Sequence, residues 1–134
     1  MEEKALLELL EGAKKAALNA YSPYSGYKVG AALLGKSGKV YTGCNVENAS
    51  YSLTICAERN AVFNAVNQAE REYQAIAIWV EAKESFPPCG ACRQVLYEFS
   101  PHMDIIWGSY GGHQVSTLDK LLPGAFVLEP SKDK

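Results

Sequence analysis

The sequence predicts an α/β domain of three layers, α-β-α, around a mixed central sheet of about five strands. Three observations carry this expectation. Helical and strand patterns alternate along the chain in the order α-β-β-α-β-α-β-β-α, which interleaves helices with one sheet and calls for parallel pairing within it. The run QAIAIWV reads as a short, buried strand. The 134 residues contain no internal repeat, low-complexity segment or linker, so one domain spanning 1–134 is expected, with 129–134 as a flexible tail. A chain of this length buries roughly two thirds of the surface that it exposes when unfolded.

Each element has a local reason. In MEEKALLELLEGAKKAALNA, Leu6, Leu10, Ala13 and Ala17 recur at helical spacing and give the first helix a face to pack. YSPYSG at 21–26 ends it, because Pro and Gly punctuate the chain and the residue before Pro avoids the helical region. YKVGAALLG and KVYTG read as two strands joined by a Lys-Ser-Gly turn. The loop CNVENASYSL leads into a second helix over roughly 55–69, where Val62, Val66 and Ala69 form an apolar stripe. QAIAIWV follows as a strand. Pro87 and Pro88 open a third helix that places Cys89, Cys92, Val95, Leu96 and Phe99 on one face. MDIIWGS and HQVST are further strands, and Ser116 or Thr117 caps a short last helix that runs through Leu122 and stops at Pro123-Gly124.

Composition narrows the function. The net charge of −2, with no basic stripe interleaved with stacking aromatics, argues against a nucleic-acid partner. No apolar stretch approaches the ~18 residues of a membrane span. The first residues are acidic and amphipathic, unlike the basic start of a secretory signal, so the expected location is the reducing cytoplasm. There, Cys44, Cys56, Cys89 and Cys92 are expected as ligands, nucleophiles or core residues rather than as disulfides.

The pair Cys89-x-x-Cys92 by itself admits a redox dithiol, a closed structural zinc site or a catalytic zinc site. A closed site needs a fourth ligand, and His102 and His113 lack paired spacing to supply it. A catalytic site needs three ligands, an open fourth position and an acid or base beside it. TICAER at 54–59 offers both missing parts: Cys56 at the start of the second helix, and Glu58 two residues on. Cys89 and Cys92 lie in the first turn of the third helix, and helix N-termini stabilise thiolates. Three thiolates around Zn²⁺ leave a net negative charge, which the two helix ends and Arg59 are expected to offset.

C-A-E followed by P-C-x-x-C resembles the zinc nucleoside and nucleobase deaminases, with cysteine where histidine often stands. TGCNVENASYSLTICAERNA, PCGACRQVL and LLPGAF are similar to the small homotetrameric cytidine deaminases over about 21–126. That resemblance implies the cytidine deaminase-like fold and hydrolytic removal of the 4-amino group from cytidine or deoxycytidine in pyrimidine salvage. It implies one zinc per chain on Cys56, Cys89 and Cys92, activating a water for attack at C4. Glu58 then carries the two protons of that water in turn, one to N3 and one to the departing amine. Asn45 and Glu47 are implied for the ribose; one residue apart in extended chain, they face the same way. Tyr27 stands where the family usually carries Phe beside sugar and base, and Ala57 offers backbone hydrogen bonds to the pyrimidine edge. Ala49, Tyr51 and Phe126 are implied to reach a neighbouring chain's site. The chain departs from the family's Ser-Pro-Cys at Pro87-Pro88-Cys89, a change that keeps the backbone carbonyl. Cys44 matches no ligand position. Three rival readings stand beside this one: a deaminase of a modified cytosine nucleoside such as blasticidin S, an RNA- or DNA-editing deaminase, and a zinc-stapled binding module without catalysis.

Overall fold

A computed structural model describes residues 1–131; of the predicted tail, 132–134 lie outside the described residues. The elements are α1 (Glu3–Ala17), β1 (Val29–Gly35), β2 (Val40–Cys44), a 3₁₀ turn (Tyr51–Leu53), α2 (Ala57–Asn67), β3 (Tyr73–Val80), α3 (Gly90–Phe99), β4 (Asp104–Ser109), β5 (Gly112–Thr117) and α4 (Leu118–Leu121). Their order matches the expectation from sequence. The five strands form one sheet in the order β2-β1-β3-β4-β5. The expected parallel pairing is confined to β3 with β4, on either side of α3; the other neighbours are antiparallel.

Side-chain alternation along the strands builds the three layers. Ala32, Ala75, Ala77, Trp79 and Ile106 point to one face, where Leu6, Leu9, Leu10, Ala13 and Ala17 of α1 cover them. Ala31, Leu33, Ile76, Ile78, Val80, Ile105 and Trp107 point to the other, under Ala61, Val62 and Ala65 of α2, Leu96 of α3 and Leu118 of α4. Small residues set the spacing between layers. A Cβ on Gly43 of β2 would lie 2.4 Å from the Ala61 nitrogen and 2.5 Å from the Ala57 oxygen, so α2 rests on the bare backbone of the edge strand. Asn60 and Asn64 of α2 donate to the carbonyls of Cys44 (2.8 Å) and Thr42 (3.2 Å), which ties the helix to the strand and covers that edge.

Two helix boundaries differ from the sequence reading, for local reasons. The second helix does not reach 55–69: Ile55 makes an antiparallel bridge with Val46, and Ala69 adopts φ 66° beyond the helix end, outside the stripe formed by Val62 and Val66. The prolines precede α3 rather than opening it. Pro disfavours helical backbone in the residue before it, which keeps Phe86 and Pro87 out of the helix, and Cys89, extended with φ −65° and ψ 165°, serves as its N-cap.

Candidate active site

Both helix starts have the same design. Cys56 is the N-cap of α2 and Cys89 the N-cap of α3, one position before the first turn in which the sequence placed them; Cys92 lies within the first turn of α3. Each cap is extended, and its carbonyl accepts the first helical bond, from Asn60 N to Cys56 O at 3.1 Å and from Arg93 N to Cys89 O at 3.0 Å. The free N–H groups that follow each cap give the thiols a partially positive surrounding.

The three sulfurs converge. The Sγ atoms of Cys56, Cys89 and Cys92 all lie within 4.8 Å of one another, and those of Cys89 and Cys92 are 3.4 Å apart. A disulfide would bring them to about 2.05 Å. Sulfurs that share a tetrahedral zinc at about 2.3 Å stand roughly 3.8 Å apart, so this triangle is sized for one such ion, and a soft thiolate set suits zinc. Cys44 lies outside the cluster, with burial raising its thiol pKa.

Charge is arranged to match. Arg59 Nη2 donates to Cys56 Sγ at 3.3 Å, so the cation expected beside the thiolates is in contact with one of them. The hydrogen bond with Cys92, followed by Arg59, holds Cys56 down to about 5. The same hydrogen bond and burial push the Cys92 thiol up. Glu58, in the first turn of α2, is only 5 % exposed, and burial raises its pKa to about 7. Its carboxyl is buried beside the sulfurs, and near neutral pH it can both hold and release a proton.

A cavity of about 300 Å³ opens onto these groups, lined by Cys56, Ala57, Glu58, Pro87 and Cys89 together with Ser25, Tyr27, Asn45 and Phe86. Asn45 is buried; its Nδ2 donates to Tyr27 O at 2.8 Å, and its Oδ1 accepts from Val29 N at 2.9 Å. Glu47 lies in an adjoining hollow with Tyr24, Ser25, Tyr51 and Thr54. Its carboxylate accepts from Tyr24 N at 2.9 Å, from Ser25 N at 3.1 Å and from the Ser25 hydroxyl, which lowers its pKa. Both residues implied for the ribose thus also fasten the 24–29 segment. Ala49 and Phe126 line neither space, and Tyr51 and Phe126 are largely exposed. Ser25 and Phe86 are lining residues that the sequence reading passed over. Phe86 immediately precedes the Pro-Pro-Cys run, a position that marks it in retrospect.

Comparison with known proteins agrees with this geometry. Residues 3–109 match the family described as the cytidine and deoxycytidylate deaminase zinc-binding region. The cytidine deaminase of Halalkalibacterium halodurans is 48% identical over 127 residues, covering 93% of this chain and 96% of the relative. That of Sporosarcina psychrophila is 46% identical, covering 91% of each. The crystal structure of cytidine deaminase from Burkholderia pseudomallei superposes with a TM-score of 0.85 at 46% identity, over 94% of this chain and 100% of that one. The chain therefore belongs to the cytidine and deoxycytidylate deaminase zinc-binding family.

Proposed function

We propose that this chain is a hydrolase that deaminates cytidine and 2′-deoxycytidine to the corresponding uridines with release of ammonia, serving pyrimidine salvage. One observation carries the reading: a buried carboxyl, Glu58, sits beside three converging thiols and lines a cavity sized for a small molecule. Cys56, Cys89 and Cys92 hold one zinc per chain, which when bound supplies a water activated near neutral pH. Glu58 takes one proton from the attacking water and gives it to N3 of the pyrimidine, then takes the second from the new C4 hydroxyl and passes it to the leaving amine as the C4–N bond breaks. Arg59 and the two helix starts offset the charge of the thiolates. Ala57 offers backbone hydrogen bonds to the pyrimidine edge, Asn45 and Glu47 bind the ribose, and Tyr27 flanks sugar and base. A zinc-stapled binding module has no use for a buried acid, and the curated relatives favour the plain nucleoside over a modified one.

The assembly belongs to the same proposal. The chain works as one domain in a cytoplasmic homotetramer, with Ala49, Tyr51 and Phe126 completing a neighbour's site. Support comes from the exposure of Tyr51 (73 %) and Phe126 (69 %), large side chains that the single chain leaves mostly uncovered. No helix among the described residues is long and apolar enough to cross a membrane. The test is direct. Purified zinc-loaded protein should consume cytidine and deoxycytidine, followed by ultraviolet absorbance, with ammonia released in equal amount. No loss of either nucleoside would overturn the reading.

A further inference from the structure

Phe86 is an aromatic side chain that the fold leaves half exposed in the lining of the cavity. It lines the cavity together with Tyr27, and the two ring centroids are 6.1 Å apart with their planes at 84°. The rings therefore meet as a corner: a flat heterocycle lying on the face of one turns its own edge to the face of the other. Both rings are about half exposed, Phe86 at 44 % and Tyr27 at 51 %. Neither fills the core, so their apolar faces are available to a ligand.

The corner is also stiff. Two successive prolines fix φ at residues 87 and 88 and hold Phe86 and Pro87 extended. Pro88 is fully buried, and its carbonyl accepts from Arg93 Nε at 2.7 Å. The same guanidinium donates through Nη1 to Leu121 O at 2.6 Å, which anchors the strap to the end of α4. One residue later the chain reaches Cys89, a member of the sulfur cluster. The ring is thus mounted on a short, pinned segment at a set distance from the site's chemistry, and little freedom remains to be lost when a ligand lands on it.

We propose that Phe86 is a specificity-determining residue that, with Tyr27, grips the flat pyrimidine ring of the substrate. The inference rests on the deaminase reading above. The ring touches the base but not the atoms that change, so it holds ground state and transition state alike and acts on KM rather than on kcat.

The experiment compares the zinc-loaded protein with Phe86→Ala and Phe86→Leu in steady-state deamination of cytidine, with zinc content measured for each. Phe86→Ala should raise KM about tenfold, within the range for loss of one base–aromatic contact. Its kcat should stay within about twofold of the unmodified protein and its zinc at one per chain. Phe86→Leu should fall between the two, because it restores bulk without an aromatic face; it also decides the matter if the alanine variant fails to fold. Unchanged KM in a folded variant would overturn the inference alone, as would a fall in kcat and zinc together with KM unaffected. An unmodified protein that deaminates neither cytidine nor deoxycytidine would overturn the deaminase reading and this inference with it.

Discussion

Adding one methyl group to Gly43 should reach the catalytic machinery through the backbone alone. The new Cβ would stand 2.4 Å from the Ala61 nitrogen, 2.5 Å from the Ala57 oxygen and 2.9 Å from the Asn60 carbonyl carbon, where ordinary contact begins at 3.4 Å. All three are main-chain atoms in the first turns of α2, so no side chain can swing away. The helix must lift from β2 by about 1 Å, carrying Cys56, Glu58 and Arg59 with it while α3 and its two cysteines stay in place. Overpacking of this kind costs about 1–3 kcal/mol of stability. A displacement of about 1 Å at the reacting groups costs on the order of 100-fold in turnover. Gly43→Ala should therefore lose roughly two orders of magnitude in kcat/KM and bind zinc more weakly. Turnover, zinc retention against a chelator and urea denaturation check the three effects. Gly12→Ala is the control: its Cβ would meet Ala32 Cβ at an ordinary 3.5 Å on the opposite face of the sheet. There the change should stabilise α1 by about 0.5–1 kcal/mol and leave turnover alone. Full activity and full zinc in Gly43→Ala would refute the claim that the β2–α2 contact positions the site.

Three further outcomes follow from the same geometry. Cys44→Ala should keep one zinc per chain by elemental analysis, since Cys44 lies outside the sulfur cluster; loss of the metal would contradict the three-thiol site. Glu47→Gln should raise KM for cytidine roughly tenfold with zinc retained, through loss of a charge-assisted hydrogen bond; a KM unchanged from the unmodified protein would remove Glu47 from the sugar site. In the metal-free protein, Glu58 has a folded pKa of about 7 against an ordinary 4.5, so its stabilising effect is complete below pH 4.5 and is lost as pH rises through 7. Cys56, lowered to about 5, gives the opposite slope, stabilising at high pH and losing that effect as pH falls through 5. Glu58→Gln removes only the first slope. Denaturation of the chelated proteins should thus show the unmodified protein losing on the order of 3 kcal/mol relative to the variant between pH 4.5 and 7; parallel curves would contradict a buried, titrating Glu58.

Much of this was legible in the sequence because the signals are local. The apolar spacing of Leu6, Leu10, Ala13 and Ala17 identified the buried face of α1, and all four are buried. The pairing of C-A-E with P-C-x-x-C brought three thiols and an acid to two helix starts, which the structure joins. What the sequence left out depends on long-range contact. That Glu58 is buried follows from the packing of α2 against β2 and β1, which no spacing of charges reveals. The second hydrogen-bonding duty of Asn45 and Glu47 arises because 24–29 folds back over the 45–47 segment, at a separation of about twenty residues. The limit of α2 was misjudged because the Val46–Ile55 bridge competes with helix for the residues before Cys56.

The most direct test of the account is turnover of cytidine by Glu58→Gln. The substitution keeps the size of the side chain but cannot carry a proton, and general acid–base catalysis contributes about 10²–10⁴-fold. Since one carboxyl serves both transfers, turnover should fall by about 10⁴-fold or more, at or above the top of that range, while fold, zinc content and nucleoside binding persist. If Glu58→Gln retained more than about a tenth of normal turnover with its zinc in place, Glu58 would not be the proton carrier. The mechanism proposed for this chain would then be wrong.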